Sequence, residues 1–266
     1  MEYNVFLSGG ADKKPTTFQQ VTGIRTPRLF AQLPKETRAR LFRRHLVQVD
    51  EIYFNALLDH DFDGTDDSMG VRSALLRCKR FMGDDELGEQ LREEARQIYF
   101  GENTFRIKYP SLTSFLEDDT RLELGDIENM LKTVIVDIAA DHFLVRRRPI
   151  SGAEHETRTR GITSLTRLRN ATSVTIEVSG DGALDGCDSK TQTTILAMSR
   201  YIQEVIDHFG DRLIVDRKHT PTGARLDIKH FWDKPTPEEI RNVEIGIAPF
   251  WELMRVQIDN LRHPGQ

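Results

Sequence analysis

Cysteine is scarce in this chain, where Cys78 and Cys187 are the only two among 266 residues. A fold that relies on disulfide bridges needs more cysteines, so the composition favours a reducing compartment. Long apolar runs are also missing, and no segment approaches the roughly 20 apolar residues of a membrane-spanning helix. The N-terminus, MEYNVFLSGGADKK, lacks the basic and apolar segments of a signal peptide. We therefore expect a soluble intracellular protein, cytoplasmic or nuclear, with no membrane partner.

An excess of basic charge and recognisable catalytic motifs are missing as well. The net charge is −5 and the isoelectric point is about 5.9, so no overall positive field attracts nucleic acid or an anionic membrane. The sequence has no G-x-S-x-G elbow and neither of the two common glycine-rich phosphate loops. Its eight histidines include no H-x-x-x-H pair of the kind that binds a metal. These absences predict no catalytic residues and no cofactor, while an enzyme whose site the sequence hides stays as an alternative.

Composition and hydrophobic pattern predict the domain organisation. Apolar residues make up 38% of the chain and charged residues 30%, which places it with globular rather than disordered proteins. Residues 1 to 28 are polar and contain glycine and proline, so we predict a flexible arm. Helical periodicity dominates residues 29 to 102, and helices alternate with strands from 103 to 266. We predict an α+β fold, in which the N-terminal helical unit packs on a small mixed β-sheet with flanking helices.

Apolar spacing locates the longer elements within these units. It predicts one amphipathic helix from Pro34 to about residue 58 and another from 189 to 210. A cap and a proline at 236 and 237 begin the last helix, whose apolar stripe runs to residue 261 with a kink at Pro249. The nearly continuous apolar run from 134 to 138 is typical of a buried strand.

An acidic segment at residues 59 to 70 resembles the first half of an EF-hand calcium loop. Oxygen ligands stand at its first, third, fifth and ninth positions, which are Asp59, Asp61, Asp63 and Asp67. The twelfth position is Gly70, where a bidentate glutamate normally completes the site. We favour a solvated connector between two helices over weak calcium binding, because aspartate suits turns.

A basic loop at residues 146 to 169 holds seven arginines against two glutamates, a local charge of +5. Guanidinium groups suit phosphate and carboxylate, so the loop is a candidate docking site for phosphate, RNA or an acidic partner. Residues 144 to 170 contain no aromatic side chain for base stacking. We favour an exposed loop that keeps the protein soluble. The arginines proposed for contact are Arg146, Arg147, Arg148, Arg158 and Arg160.

Two segments carry a family resemblance. Residues 33 to 42 are LPKETRARLF, and residues 89 to 107 are EQLREEARQIYFGENTFRI. Together they resemble a large family of fungal proteins with the pattern LPxExR … LLxxCRxIxxEA … YGxNTF, often described as F-box-like. The matching residues are Leu33, Pro34, Glu36, Arg38, Leu76, Cys78, Arg96, Gln97, Ile98, Tyr99, Gly101, Asn103, Thr104 and Phe105.

The resemblance implies a protein-interaction role. An F-box binds an adaptor of a ubiquitin ligase, and its opening here is Leu33-Pro34. The family carries no agreed catalytic residues, and we interpret Tyr99 as an aromatic anchor and Asn103 as a polar turn residue. We therefore predict a non-enzymatic interaction or scaffold protein with a protein partner, in its most specific form an F-box-like substrate adaptor. The alternative is a nucleic-acid- or phosphate-associated protein that uses the basic loop.

Overall fold

The fold is described from a computed structural model that covers residues 4–5, 16–54, 75–76, 82–83, 85–117, 127–142 and 161–263. The α-helices are α1 (Phe18–Thr22), α2 (Pro27–Ala31), α3 (Lys35–Leu46), α4 (Glu86–Glu102), α5 (Leu112–Glu117), α6 (Ile127–Met130), α7 (Ser189–Met198), α8 (Ile202–Phe209), α9 (Pro237–Glu244) and α10 (Phe250–Arg262). The strands are β1 (Asn4–Val5), β2 (Thr16–Thr17), β3 (Ile52–Phe54), β4 (Thr104–Lys108), β5 (Thr133–Ala139), β6 (Ser173–Gly180), β7 (Leu213–His219) and β8 (Arg225–Asp227). This combination confirms the predicted α+β class.

The main sheet is mixed and has the strand order β3-β4-β5-β6-β7-β8, while β1 and β2 form a separate antiparallel pair. Strands β6 and β7 are parallel, with Glu177 beside Asp216. Strand β8 returns antiparallel to β7 and places Arg225 opposite Lys218. The parallel pair needs a helical crossover, which α7 and α8 supply.

The chain divides into two compact units. The first contains Met1–Phe105 and Ser114–Thr133, and the second contains Arg106–Thr113 and Val134–Gln266. The chain leaves the first unit after Phe105 and returns to it for Ser114–Thr133. Sequence periodicity does not predict that this segment belongs to the first unit, because its placement depends on which helix it packs against.

The first unit has an aromatic and aliphatic core. Phe30 lies between Phe18 and Phe42 with edge-to-face ring contacts at 5.7 and 5.3 Å. Helix α4 contributes the buried side chains Leu91 and Ala95 to the same unit. Phe18 and helices α1 and α2 belong to residues 1 to 28, so the part of this segment from residue 16 onward is structured rather than a flexible arm.

In the second unit, the two faces of strand β6 differ in character. One face of β6 presents Val174, Ile176 and Val178, all fully buried. Helix α7 packs against β6, α8 packs against β7, and a 3-10 segment at Gly161–Arg167 packs against α8. These elements add further buried apolar side chains, including Ile195 and Val205. The other face of the same strand carries Thr175, Glu177 and Ser179, because successive side chains of a strand alternate.

Three predicted helices differ from the observed ones in their ends. Helix α3 ends at Leu46, and the chain is already a strand at Ile52–Phe54. The segment from 189 to 210 is two helices separated at Ser199–Tyr201. The segment from 237 to 261 is also two helices, because α9 ends in a turn after Glu244 and α10 begins only at Phe250.

Candidate protein-interaction surface

The C-terminal helix pair, α9 and α10, positions the surface of interest. Thr236 begins α9 with a complete capping box, since its hydroxyl accepts from the Glu239 N–H and the Glu239 carboxylate accepts from the Thr236 N–H. Gly246 takes a positive φ of 75° in the turn that follows α9. Pro249 then occupies the N-cap position of α10, where its carbonyl oxygen accepts from the Leu253 N–H. These local signals separate the predicted single helix into two.

Buried contacts fix the helix pair on the second unit. Met254 and Ile258 of α10 are 3% and 1% exposed. Arg255 donates to Glu239 at 2.6 Å, a nearly buried ion pair between the two helices. Arg262 donates to the backbone oxygens of Ser199 and Trp232 at 3.1 and 2.9 Å. The helices are therefore held in place by a core of their own, independent of the side chains that they expose.

Six large apolar side chains of this helix pair face solvent, and we call them the C-terminal apolar surface. The most exposed are Ile247 at 68% and Ile245 at 59%, both in the turn between the helices. Single exposed apolar residues are ordinary, whereas a concentration of them within about 20 residues is typical of an interaction surface. The full set is Ile240, Ile245, Ile247, Trp251, Leu253 and Leu261.

A shallow groove of about 520 Å³ adjoins this surface. Its walls are mainly apolar side chains of α9 and α10, with Leu253 and Leu261 shared with the surface itself. The polar groups that line it are the neutral amides Gln192, Gln257 and Asn260. A groove without charged walls suits an uncharged apolar side chain of a partner better than an ionic ligand.

Sequence periodicity did not identify this surface. It placed Ile240, Ile247 and Leu261 on the apolar stripe of one kinked helix, whereas the segment forms two helices and all three side chains are exposed. The available signal was the segment Ile245-Gly-Ile-Ala-Pro, in which glycine and proline interrupt an apolar run. A turn of this kind directs apolar side chains outward, because it belongs to neither helical face.

The predicted adaptor-binding residues lie in the first unit. Pro34 is exposed and Leu33 is half-buried, immediately before α3. Arg38 holds this start in place, because its Nη1 donates to the carbonyl oxygens of Leu33 and Ala31 at 2.6 and 2.9 Å. The motif residue Arg38 therefore acts inside the protein, while Pro34 stays accessible.

The second motif segment also has an internal role. Asn103 Nδ2 donates to the carbonyl oxygens of Leu46 and Tyr99 at 3.0 and 2.7 Å, and its Oδ1 accepts from the Gln48 N–H at 2.8 Å. The Asn103 side chain therefore satisfies backbone carbonyl groups at the C-terminal ends of both α3 and α4. Tyr99 contacts the rings of Phe100 and Phe105 at 5.0 and 5.4 Å. The two motif segments are neighbours in the first unit.

A charged cluster occupies the polar face of the sheet. Glu177 is fully buried and accepts from Arg106, Lys218 and Arg225 at 2.6, 3.2 and 2.8 Å. Asp137 nearby accepts from Lys108 and from the Ser179 hydroxyl. Each carboxylate is neutralised by cations of the same unit, so we interpret the cluster as structural rather than catalytic.

Two predicted sites lie outside the described residues. These are the acidic segment with Asp59, Asp61, Asp63 and Asp67, and the basic-loop arginines Arg146, Arg147, Arg148, Arg158 and Arg160. Within the ranges that the structure does cover, three or more metal-ligating side chains do not cluster anywhere. No helix in those same ranges has the length and apolar character that a membrane crossing requires.

Comparison with known proteins adds no relative. No family model, curated protein or solved structure matches the chain.

Proposed function

We propose that this protein is a non-enzymatic interaction or scaffold protein that binds a protein partner through its C-terminal apolar surface. The observation that carries this proposal is the exposure of Ile245, Ile247 and four further large apolar side chains on a helix pair that has its own buried anchor. Leaving this much apolar surface in water is unfavourable, and binding removes the cost. Trp251 supports the proposal, because tryptophan is enriched among the residues that dominate binding energies.

A matched pair of variants tests the proposal. Ile245→Ser with Ile247→Ser changes the surface, and Ile214→Ser with Leu226→Ser changes two exposed apolar residues elsewhere in the second unit. Proteins co-purifying from native cells are quantified by mass spectrometry for wild type and both variants. We expect the recovery of a partner to fall at least tenfold with the first pair of substitutions and to be unchanged with the second. The purified partner is then expected to bind the purified wild-type protein directly. Recovery that does not depend on the surface contradicts the proposal.

The more specific form of the proposal is an F-box-like substrate adaptor. It is supported by the resemblance of the LPKE segment and by the exposed position of Pro34 just before α3. In this form Leu33-Pro34 binds the ligase adaptor, and the C-terminal apolar surface holds the substrate. Purified protein then binds the ligase adaptor, and Leu33→Ala with Pro34→Ala abolishes binding without unfolding α3, since Arg38 bonds the backbone there. Failure of the wild type to bind at tens of micromolar excludes this form and leaves the scaffold proposal standing.

A further inference from the structure

Three Thr-Pro dipeptides occur in the chain, at Thr26, Thr220 and Thr236. Two of them begin helices. The Thr26 hydroxyl accepts from the Leu29 N–H at 3.3 Å at the start of α2, and the Thr236 hydroxyl accepts from the Glu239 N–H at 3.3 Å at the start of α9. Each of these hydroxyls is part of a helix cap, and a bulky group on it removes a capping bond worth about 1 kcal/mol.

Thr220 differs from the other two in its surroundings. It lies in the exposed turn between β7 and β8, and the following Pro221 is exposed as well. Its backbone N–H donates to the Gly180 oxygen at 2.8 Å, so the main chain is fixed there. Within the described part of the protein its hydroxyl makes no hydrogen bond, in contrast to Thr222, which bonds His219 and the Ala224 N–H.

We propose that Thr220 is a phosphorylation site for a proline-directed serine/threonine kinase. Such kinases recognise a hydroxyl followed directly by proline, and the fold leaves one of the three such hydroxyls in the described residues both exposed and outside a helix cap. In the reaction the Thr220 Oγ1–phosphorus bond forms as the bond between the β- and γ-phosphates of ATP breaks. The hydroxyl proton passes to the catalytic base of the kinase, and ADP leaves.

The charges near Thr220 can accommodate the phosphate. Lys218 precedes it by two residues, and Arg225 faces Lys218 across β7 and β8. Arg225 is 45% exposed and bonds the buried Glu177, which keeps Arg106 and Lys218 as further cationic partners if Arg225 turns toward a phosphate. A phosphate carries nearly two negative charges and three acceptor oxygens, so an exposed arginine stabilises it readily.

The test compares the three dipeptides in one reaction. Intact purified protein is incubated with a proline-directed kinase and Mg-ATP, and the phosphate on each threonine is quantified by peptide mapping. A second reaction uses the same protein after proteolysis, in which all three dipeptides are free of the fold. We expect at least tenfold more phosphate on Thr220 than on Thr26 or Thr236 in the intact protein, and comparable amounts in the peptides. Thr220→Ser keeps the modification, whereas Thr220→Ala and Pro221→Ala lose it.

Two results overturn the proposal. One is an intact protein in which Thr220 receives no phosphate although its free peptide does. The other is equal phosphorylation of all three threonines in the intact protein, which shows that the fold does not select Thr220.

Discussion

Asp216 and Asp227 lie directly opposite each other across the antiparallel strands β7 and β8. Two carboxylates in such a position repel each other. Burial raises the pKa of the Asp216 carboxyl above its ordinary value of 3.8, and the charge of Asp227 raises it further. This pair makes the edge of the sheet less stable when both groups are ionised.

We predict that Asp216→Asn stabilises the protein at neutral pH. A raised pKa in the folded state means that the contribution of Asp216 to stability is largest below pH 3.8 and is lost as the pH rises through the raised value. The variant therefore melts about 2 °C higher than wild type at pH 7, and the difference shrinks as the pH falls toward 3.8. Thermal unfolding between pH 4 and pH 8 measures this, with the exposed Asp233→Asn as control. An advantage that grows at low pH contradicts the prediction.

The buried Glu177 gives a second prediction. Glu177→Gln removes the negative charge shared by Arg106, Lys218 and Arg225, and Arg106 is only 3% exposed. Removing one partner of a buried ion pair costs about 3–5 kcal/mol, because the desolvated charge that remains is uncompensated. Arg225→Gln changes a partner that is 45% exposed and costs under about 1 kcal/mol. Urea unfolding of both variants distinguishes the two contributions, and equal losses count against the structural role of the cluster.

Two arginine–glutamate pairs between α3 and α4 give a third prediction. Arg38 donates to both oxygens of Glu94 at 2.8 and 2.6 Å, where the side chains are 9% and 14% exposed. Arg43 makes the same bidentate interaction with Glu102, but half of the Arg43 side chain is exposed. We expect Arg38→Met to lower the free energy of unfolding by about 3 kcal/mol and Arg43→Met to change it little. Denaturant titration tests this, and similar losses show that burial does not decide the strength of these pairs.

The C-terminal helix pair gives a fourth prediction. Ile247→Ser, at an exposed position, leaves the free energy of unfolding within about 0.5 kcal/mol of wild type. Ile258→Ser, one turn from the end of α10 but buried, costs about 3–5 kcal/mol, because it leaves a cavity and buries a hydroxyl. Chemical unfolding separates the two variants, and binding of a hydrophobic dye falls for Ile247→Ser alone while both remain folded. A large loss with Ile247→Ser shows that the turn is part of the core.

Local sequence was enough to place many elements, because their signals are local. The capping residues at 236 and 237 begin α9 where predicted, and Gly210 ends α8 with a positive φ of 56°. The apolar run at 134 to 138 forms the buried centre of β5, since a strand covered by other elements carries little polar alternation. The α+β class follows from the order of such elements.

Helix ends depended on residues far away in the chain. Helix α3 ends at Leu46, whose carbonyl oxygen accepts a hydrogen bond from the side chain of Asn103, 57 positions later in the chain. Helices α7 and α8 separate at Ser199, whose oxygen accepts from Arg262 and whose hydroxyl accepts from Trp232. Apolar periodicity does not reveal such distant hydrogen-bond donors, so a prediction based on it makes each helix too long.

By itself the sequence determined which side chains are apolar, where caps and breakers interrupt them, and therefore the class of fold. Tertiary structure alone decided which apolar side chains are left without a partner. Ile245 and Ile247 lie in a turn and stay exposed, whereas Met254 and Ile258 of the following helix are buried. Whether a side chain is buried depends on which residues surround it in the folded structure. Hydrophobicity determines only how much free energy is gained if it is buried.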